Sequence, residues 1–270
     1  MFYKLFLFFL LVEGYKYVPV SKFKRNFKNN LESINVFEQI NVYKKNTTCV
    51  IFLTGGSSIV PPFIYGDFLN NIVYNDFSIY VPKFNYPNKD ILINTLSNEY
   101  KDVIIAGHSS GGTTAIKYAK HNLIKKIILI DPVDTRIFSK KYRNKIHNLE
   151  NLDNILFLNA AKSFKITYDP PALAFIPFLQ LKSDILKVKD TCIITKIEAE
   201  DFGHCDILDL PYSNVMHNTR VSVGYNNRTN ENIRKYHEWL TSIFIYFSNE
   251  ELKKLNTLDY ISYKLNLNIK

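Results

Sequence analysis

The sequence predicts an α/β fold, a mostly parallel central sheet with helices on both faces. Three observations predict it. Short apolar runs recur along the chain, each followed by a polar or helical stretch, which is the pattern of βαβ units. With 270 residues, 46% apolar and 22% charged, the chain can build one large domain or two small ones, and its usage is that of a globular protein rather than a disordered or fibrous one. Repeats and low-complexity linkers are absent from the sequence, so the apolar runs read as one continuous core.

The elements follow in order. Thr48-Cys-Val-Ile-Phe-Leu53 is a buried strand ending at Thr54-Gly55-Gly56, and Ser78-Ile-Tyr-Val81 is a second. Asp102-Val-Ile-Ile-Ala106 is a third, running directly into Gly107-His108-Ser109. A helix is expected from Gly112 to His121, with Ala115, Ile116 and Ala119 as its packing face. Lys126–Ile130, Asn154–Leu158 and Thr191–Ile197 complete the strands. A long amphipathic helix from about Asn230 to Phe247 closes the domain, with Ile233, Tyr236, Trp239, Leu240 and Ile243 at helical spacing. This assigns Trp239 to the core. The expected boundaries are a single domain over 33–248 and a tail over 249–270.

The formal charge of +9 admits an anionic partner. The lysines are nonetheless spread along the chain, and the densest run, Lys22-Phe-Lys-Arg-Asn-Phe-Lys28, has no nucleic-acid motif beside it. A solvated face is the reading adopted, with no nucleic-acid partner expected. Residues 1–14 carry one Lys, an apolar run from Leu5 to Val12 and then Gly14, which fits a signal peptide or an N-terminal anchor. The run is too short to span a bilayer. A cleaved signal would make the chain secreted or endomembrane; otherwise it is expected to be cytoplasmic or associated with a membrane surface. Cys49, Cys192 and Cys205 make no disulfide framework and have no metal-site spacing, although a Cys192–Cys205 bridge is compatible with secretion.

The chemistry-bearing pattern is Gly107-His108-Ser109-Ser110-Gly111. G-x-S-x-G alone is a weak signal. Between an apolar strand and a helix rich in small residues it marks a nucleophile elbow, the sharp turn that lifts a serine hydroxyl clear of the sheet in the α/β-hydrolase fold. The helix N-terminus beneath it offers free N–H groups to a developing oxyanion. A serine hydroxyl is a poor nucleophile without a base, so a histidine and an orienting carboxylate are required. His204 is the expected base, in a loop after the last strand, and His108 is expected to be structural. His121, His147, His217 and His237 lack such placement. Asp131 is the expected acid because it ends the strand after the elbow, whereas the next strand tip, Leu158-Asn-Ala-Ala-Lys162, has no carboxylate. Asp134, Asp169 and Asp184 are the alternatives. The oxyanion donors are expected at the amides of Ser110 and Gly56.

These residues resemble the chlorophyllases and related plant-type esterases. Phe52-Leu-Thr-Gly-Gly56 is similar to their Phe-Leu-His-Gly segment, and Gly107-His-Ser-Ser-Gly-Gly112 to their Gly-His-Ser-Arg-Gly-Gly elbow. Ile130-Asp-Pro-Val133 resembles their Asp-Pro-Val strand end, and Phe202-Gly-His-Cys-Asp-Ile-Leu-Asp209 their Gly-His-x-Asp-x-Leu-Asp segment. The four blocks occur in the same order over roughly 48–210. The resemblance implies an ester hydrolase with Ser109 as nucleophile, Asp131 as acid and His204 as base. Thr54 stands where the family has His, and Ser110 where it usually has Arg.

The apolar, proline-broken segment 168–181 is expected to form a lid or pocket wall, with Phe175 and Phe178 against the substrate. The expectation is therefore a small-molecule ester with a bulky apolar group, cleaved through an acyl-enzyme with no metal and no cofactor. A lipase or phospholipase working at a membrane surface is the second reading, and a catalytically silent binding module the third.

Overall fold

Consecutive residues of a strand face opposite sides of a sheet, so an unbroken apolar run must be covered on both faces. The computed structural model, which describes residues 21–26, 33–38, 47–58, 60–75, 77–82, 88–134, 146–164, 179–200, 202–218 and 229–249, meets that demand. Its strands are β1 (Ser21–Asn26), β2 (Ser33–Glu38), β3 (Thr48–Leu53), β4 (Phe77–Val81), β5 (Asp102–His108) and β6 (Lys126–Ile130). They continue with β7 (His147–Asn148), β8 (Asn154–Ala160), β9 (Leu186–Lys187) and β10 (Ile193–Ala199). The helices are α1 (Gly55–Ser58), α2 (Gly66–Val73), α3 (Lys89–Glu99), α4 (Ser110–Ala119), α5 (Leu210–Asn218) and α6 (Asn230–Ser248).

Eight strands form one sheet in the order β1-β2-β4-β3-β5-β6-β8-β10. The six from β4 to β10 are mutually parallel, and β1 and β2 add an antiparallel edge. Strands β7 and β9 pair separately. Alternation along the strands splits the core cleanly. Val50, Phe52, Ile104, Ala106, Ile128, Ile130, Leu156 and Leu158 face one side, packed with α2 and α6. Cys49, Ile51, Leu53, Val103, Ile105, Ile127, Leu129, Ile155 and Phe157 face the other, packed with α3 and α4. This arrangement, with the elbow between β5 and α4, is the α/β-hydrolase fold.

The main strands lie where the apolar runs placed them, with shifted ends: β5 and β8 extend two residues further, and β10 covers Ile193–Ala199 rather than Thr191–Ile197. The elbow helix starts at Ser110, directly after Ser109, not at Gly112. Trp239 is buried in the core, as its helical spacing required. The sheet also takes in Ser21–Asn26, which precedes the 33–248 span and includes most of the basic run read as a solvated face. All three cysteines are free thiols, so the conditional Cys192–Cys205 bridge is not formed. Cys205 packs in the core, and Cys192 is half-buried ahead of β10. No helix among the described residues is long and apolar enough to cross a membrane. Residues 1–14, most of 168–181 and 250–270 lie outside the described residues, and Phe175 and Phe178 with them.

The elbow closes on its neighbours with no room for side chains. A Cβ at Gly111 would meet the Leu53 carbonyl oxygen at 2.2 Å and that of Thr54 at 2.5 Å, both backbone atoms that cannot yield. Overpacking of this kind costs typically about 1–3 kcal/mol. Gly111→Ala is therefore expected at the upper end, lowering Tm by roughly 6–12 °C at the usual 2–4 °C per kcal/mol for a chain of this size. Calorimetry checks it.

Candidate active site

Strand β5 delivers Ser109 to the carboxyl edge of the sheet in a backbone conformation that L-residues avoid, φ 56° and ψ −131°. Three backbone hydrogen bonds hold it there. The Ser109 amide donates to the Ile130 carbonyl at 3.0 Å, while its own carbonyl accepts from Gly112 at 2.9 Å and from Val133 at 3.0 Å. The elbow is thus locked to the end of β6 as well as to α4. Thr113 adds a fourth tie, its hydroxyl donating to the Val133 carbonyl at 2.6 Å.

The same locking brings β6 to a sharp end. Asp131 follows Ile130 with a positive φ of 44°, and its amide donates to the Leu158 carbonyl of β8 at 2.7 Å. Its carboxylate is gripped from two sides. Oδ1 accepts the Ala160 amide at 3.1 Å, and Oδ2 accepts from His204 Nδ1 at 2.5 Å. The other ring nitrogen, Nε2, lies 2.8 Å from Ser109 Oγ. Ser109, Asp131 and His204, read from the sequence as nucleophile, acid and base, form one hydrogen-bonded line with Asp131 and His204 buried. With Nδ1–H given to the carboxylate, Nε2 is left with a lone pair facing the serine hydroxyl. Among the alternatives, Asp134 instead follows the Val133 bridge, with its amide on the Leu179 carbonyl, Asp184 lies on a separate 3₁₀ turn, and Asp169 falls outside the described residues.

The loop carrying His204 is pinned along its length. The Gly203 amide donates to Asp206 Oδ2 at 2.9 Å, and the Asp206 carbonyl accepts from His237 Nε2 on α6 at 3.1 Å. Phe202 stacks on Tyr236 at 4.0 Å between ring centroids, and Tyr236 on Trp239. Burial holds the Tyr236 hydroxyl well above its usual range, with Asp131 and Asp206 reinforcing the shift. At the far end of the loop the Asp209 amide donates to the Ile64 carbonyl, and Asp209 Oδ1 accepts the Asp67 amide at the start of α2.

Gly55 and Gly56 open the turn after β3, beside Ser109: a Cβ on Gly55 would lie 3.5 Å from Ser109 Cβ. The Gly55 amide is already used, donating to Tyr65 Oη at 2.9 Å. Gly56, with a left-handed φ of 61°, is exposed on the same turn, and its amide with that of Ser110 forms the candidate oxyanion pair. Thr54, where the resembling esterases carry His, donates its hydroxyl to the Val60 carbonyl at 2.7 Å and so closes this turn. Sequence reasoning left His108 as structural and did not single out Tyr65; both are buried against the site, their rings 5.6 Å apart.

Among the described residues one group, Asp67, Asp209 and His237, brings three prospective metal-ligand atoms within 4.8 Å of one another. Asp209 Oδ1 and His237 Nε2 are both engaged in the hydrogen bonds that fasten the His204 loop. The group serves that packing.

No family model matches the chain, and no curated protein matches it. Solved structures with similar architecture include a thermostable esterase from Pseudomonas putida, 14% identical with a TM-score of 0.41, aligned over 54% of this chain and 65% of that one. The esterase domain of a Rhodothermus marinus protein is 12% identical with a TM-score of 0.45, over 74% and 96% of the two chains. A poly(3-hydroxybutyrate) depolymerase from Bordetella parapertussis is 11% identical with a TM-score of 0.45, over 84% and 90%. The chemistry of the site has to be read from its own geometry.

The buried ionisable groups around the loop give the chain a defined pH response. Burial holds His108 well below the usual imidazole range and pushes His237 down to about 4 from 6.5. The unfolded chain takes up protons at both positions below pH 6.5 and the folded chain does not, so their stabilisation is present above that pH and is lost as pH falls toward 4. Asp209 runs the other way. Burial, then the Asp67 carboxyl, raise it from 3.8 to about 8, so the folded chain keeps a proton the unfolded chain releases, and this contribution is lost as pH rises toward 8. Asp67, also raised by burial, acts in the same direction, so two carboxyls oppose the two histidines on the acid side, and Asp209, raised furthest, dominates between pH 6.5 and 8. The urea midpoint is expected to fall between pH 6.5 and 8, and Asp209→Asn to remove most of that fall.

Proposed function

We propose that this chain is a serine hydrolase of carboxylic esters that works through an acyl-enzyme. The observation that carries the reading is the line Ser109 Oγ–His204–Asp131, with bonds of 2.8 Å and 2.5 Å, at a strained elbow on the carboxyl edge of the sheet. His204 Nε2 takes the Ser109 proton as Oγ attacks the ester carbonyl carbon, and Asp131 stabilises the imidazolium so formed. The carbonyl oxygen, now negative, is received by the amides of Ser110 and Gly56. Collapse breaks the C–O bond to the alcohol, which leaves with the proton from His204. Water, deprotonated by the same nitrogen, then releases the acid and restores Ser109.

The substrate class rests on the resemblance. Four sequence blocks in the order of the chlorophyllase-like esterases support an ester with a bulky apolar part, and the apolar composition of segment 168–181 favours the same. Ser110 in place of the family's usual Arg separates the general esterase reading from a commitment to chlorophyll itself.

A fluorophosphonate probe is expected to label the wild type and not Ser109→Ala, whose turnover should fall by roughly 10⁶. In a panel of p-nitrophenyl esters of graded acyl length run beside chlorophyllide esters, kcat/KM should rise toward the bulky apolar members. An unlabelled wild type would remove the hydrolase reading, and activity confined to short acyl chains would remove the bulky-substrate one.

A further inference from the structure

Two buried side chains that the reaction does not consume join its parts. The Gly55 amide donates to Tyr65 Oη at 2.9 Å, Tyr65 Oη lies 2.9 Å from His108 Nδ1, and His108 Nε2 lies 2.9 Å from the His204 carbonyl oxygen. The proton positions follow from the ends of the chain. A carbonyl only accepts, so His108 Nε2 carries the proton; Nδ1 is then an acceptor, and the Tyr65 hydroxyl donates to it while accepting from Gly55. Every group has one role, and the four run in one direction from the turn after β3 to the loop of the base.

We infer that Tyr65 and His108 are positioning residues of this site, which fix the distance between the candidate oxyanion turn, the nucleophile strand and the His204 loop. The inference rests on the hydrolase reading proposed above. Gly55 immediately precedes Gly56, the candidate oxyanion donor, and His108 immediately precedes Ser109, so a displacement of either partner is passed to a reacting group through one covalent link. The bonded partners are 10, 43 and 96 residues apart in the chain, so local structure alone does not hold them in place.

The environment keeps the link in a single state. Burial, and then the neighbouring His204, hold His108 well below the usual imidazole range, against the opposing pull of its bond to the His204 carbonyl. Its ring sits 4.8 Å from the His204 ring, tilted by 35°. A neutral His108 does not repel the imidazolium that forms on His204 during proton transfer, whereas a charged one at that distance would. Burial also raises the Tyr65 hydroxyl far above its usual range, so it remains a donor throughout.

Replacement at His108 can cut either bond selectively. Asn sets an amide group near the place of Nδ1, keeping an acceptor for Tyr65 and losing the donor to His204; Gln sets one near Nε2, keeping that donor. The test compares full-length wild type, Tyr65→Phe, His108→Asn and His108→Gln, with active sites counted by fluorophosphonate titration and kcat and KM measured on a p-nitrophenyl ester. Tyr65→Phe and His108→Asn should lose about 10- to 100-fold in kcat per titrated site with KM little changed, the scale of a misplacement approaching 1 Å. His108→Gln, which cuts the Tyr65 bond instead of the His204 one, should fall by a similar factor. The inference is overturned if kcat per titrated site stays at the wild-type level in Tyr65→Phe, His108→Asn or His108→Gln, or if none of the three folds, which would leave the pair a purely structural role. A wild type with no titratable site instead removes the hydrolase reading itself, and this inference with it.

Discussion

The contact on which the site depends is the buried one between Asp131 and His204. A carboxylate taken out of water is costly unless its oxygens are hydrogen-bonded, and leaving a buried polar group without its partner costs about 1–3 kcal/mol. Both Asp131 oxygens are engaged, one by the Ala160 amide and one by His204 Nδ1. The price is a positive φ at a residue other than glycine. That turn is what carries a side chain from the end of β6 across to the end of β8, where the amide is waiting. It lets a carboxylate on this strand reach His204 although the tip of the next strand offers none: β8 contributes a backbone donor in place of a carboxylate.

Ser109 is held by the same edge. Ser109 is strained, and strain of that kind costs on the order of 1–3 kcal/mol and persists only where the surroundings over-determine it. Here they do, because its amide and carbonyl are spoken for by Ile130, Gly112 and Val133. Two of those partners flank Asp131-Pro132. The elbow and the acid-bearing strand end are therefore one mechanical unit, and the His204 loop is fastened to it from α6 by Phe202–Tyr236 stacking and the His237–Asp206 bond.

Much of this was legible in the residues. The parallel strands announced themselves as unbroken apolar runs, because a strand covered on both faces needs apolar residues at every position. Ser109, Asp131 and His204 could be picked out because strand ends in this topology collect at one edge. Other features left no local signal. The edge strand β1 is Ser-Lys-Phe-Lys-Arg-Asn, where charge hides the alternation, and it read as a solvated basic run. The anchoring of Asp131 by Ala160 is a backbone interaction, which any residue but proline can supply. Tyr65 and His108 meet across 43 residues, and nothing in either segment points to the other. The free thiols of Cys192 and Cys205 show the converse, a spacing that sequence alone could not decide.

If Asp131 fixes the tautomer and orientation of His204, then exchanging its carboxylate for an amide of the same shape should disable the chemistry while sparing the architecture. The most direct measurement is steady-state kinetics of Asp131→Asn beside wild type on one p-nitrophenyl ester, with the fold of both checked by circular dichroism. The expected result is a folded protein whose kcat is lower by about 10⁴, the loss typical when the orienting acid of such a triad is neutralised. A folded Asp131→Asn that turns over at close to the wild-type rate would contradict the account.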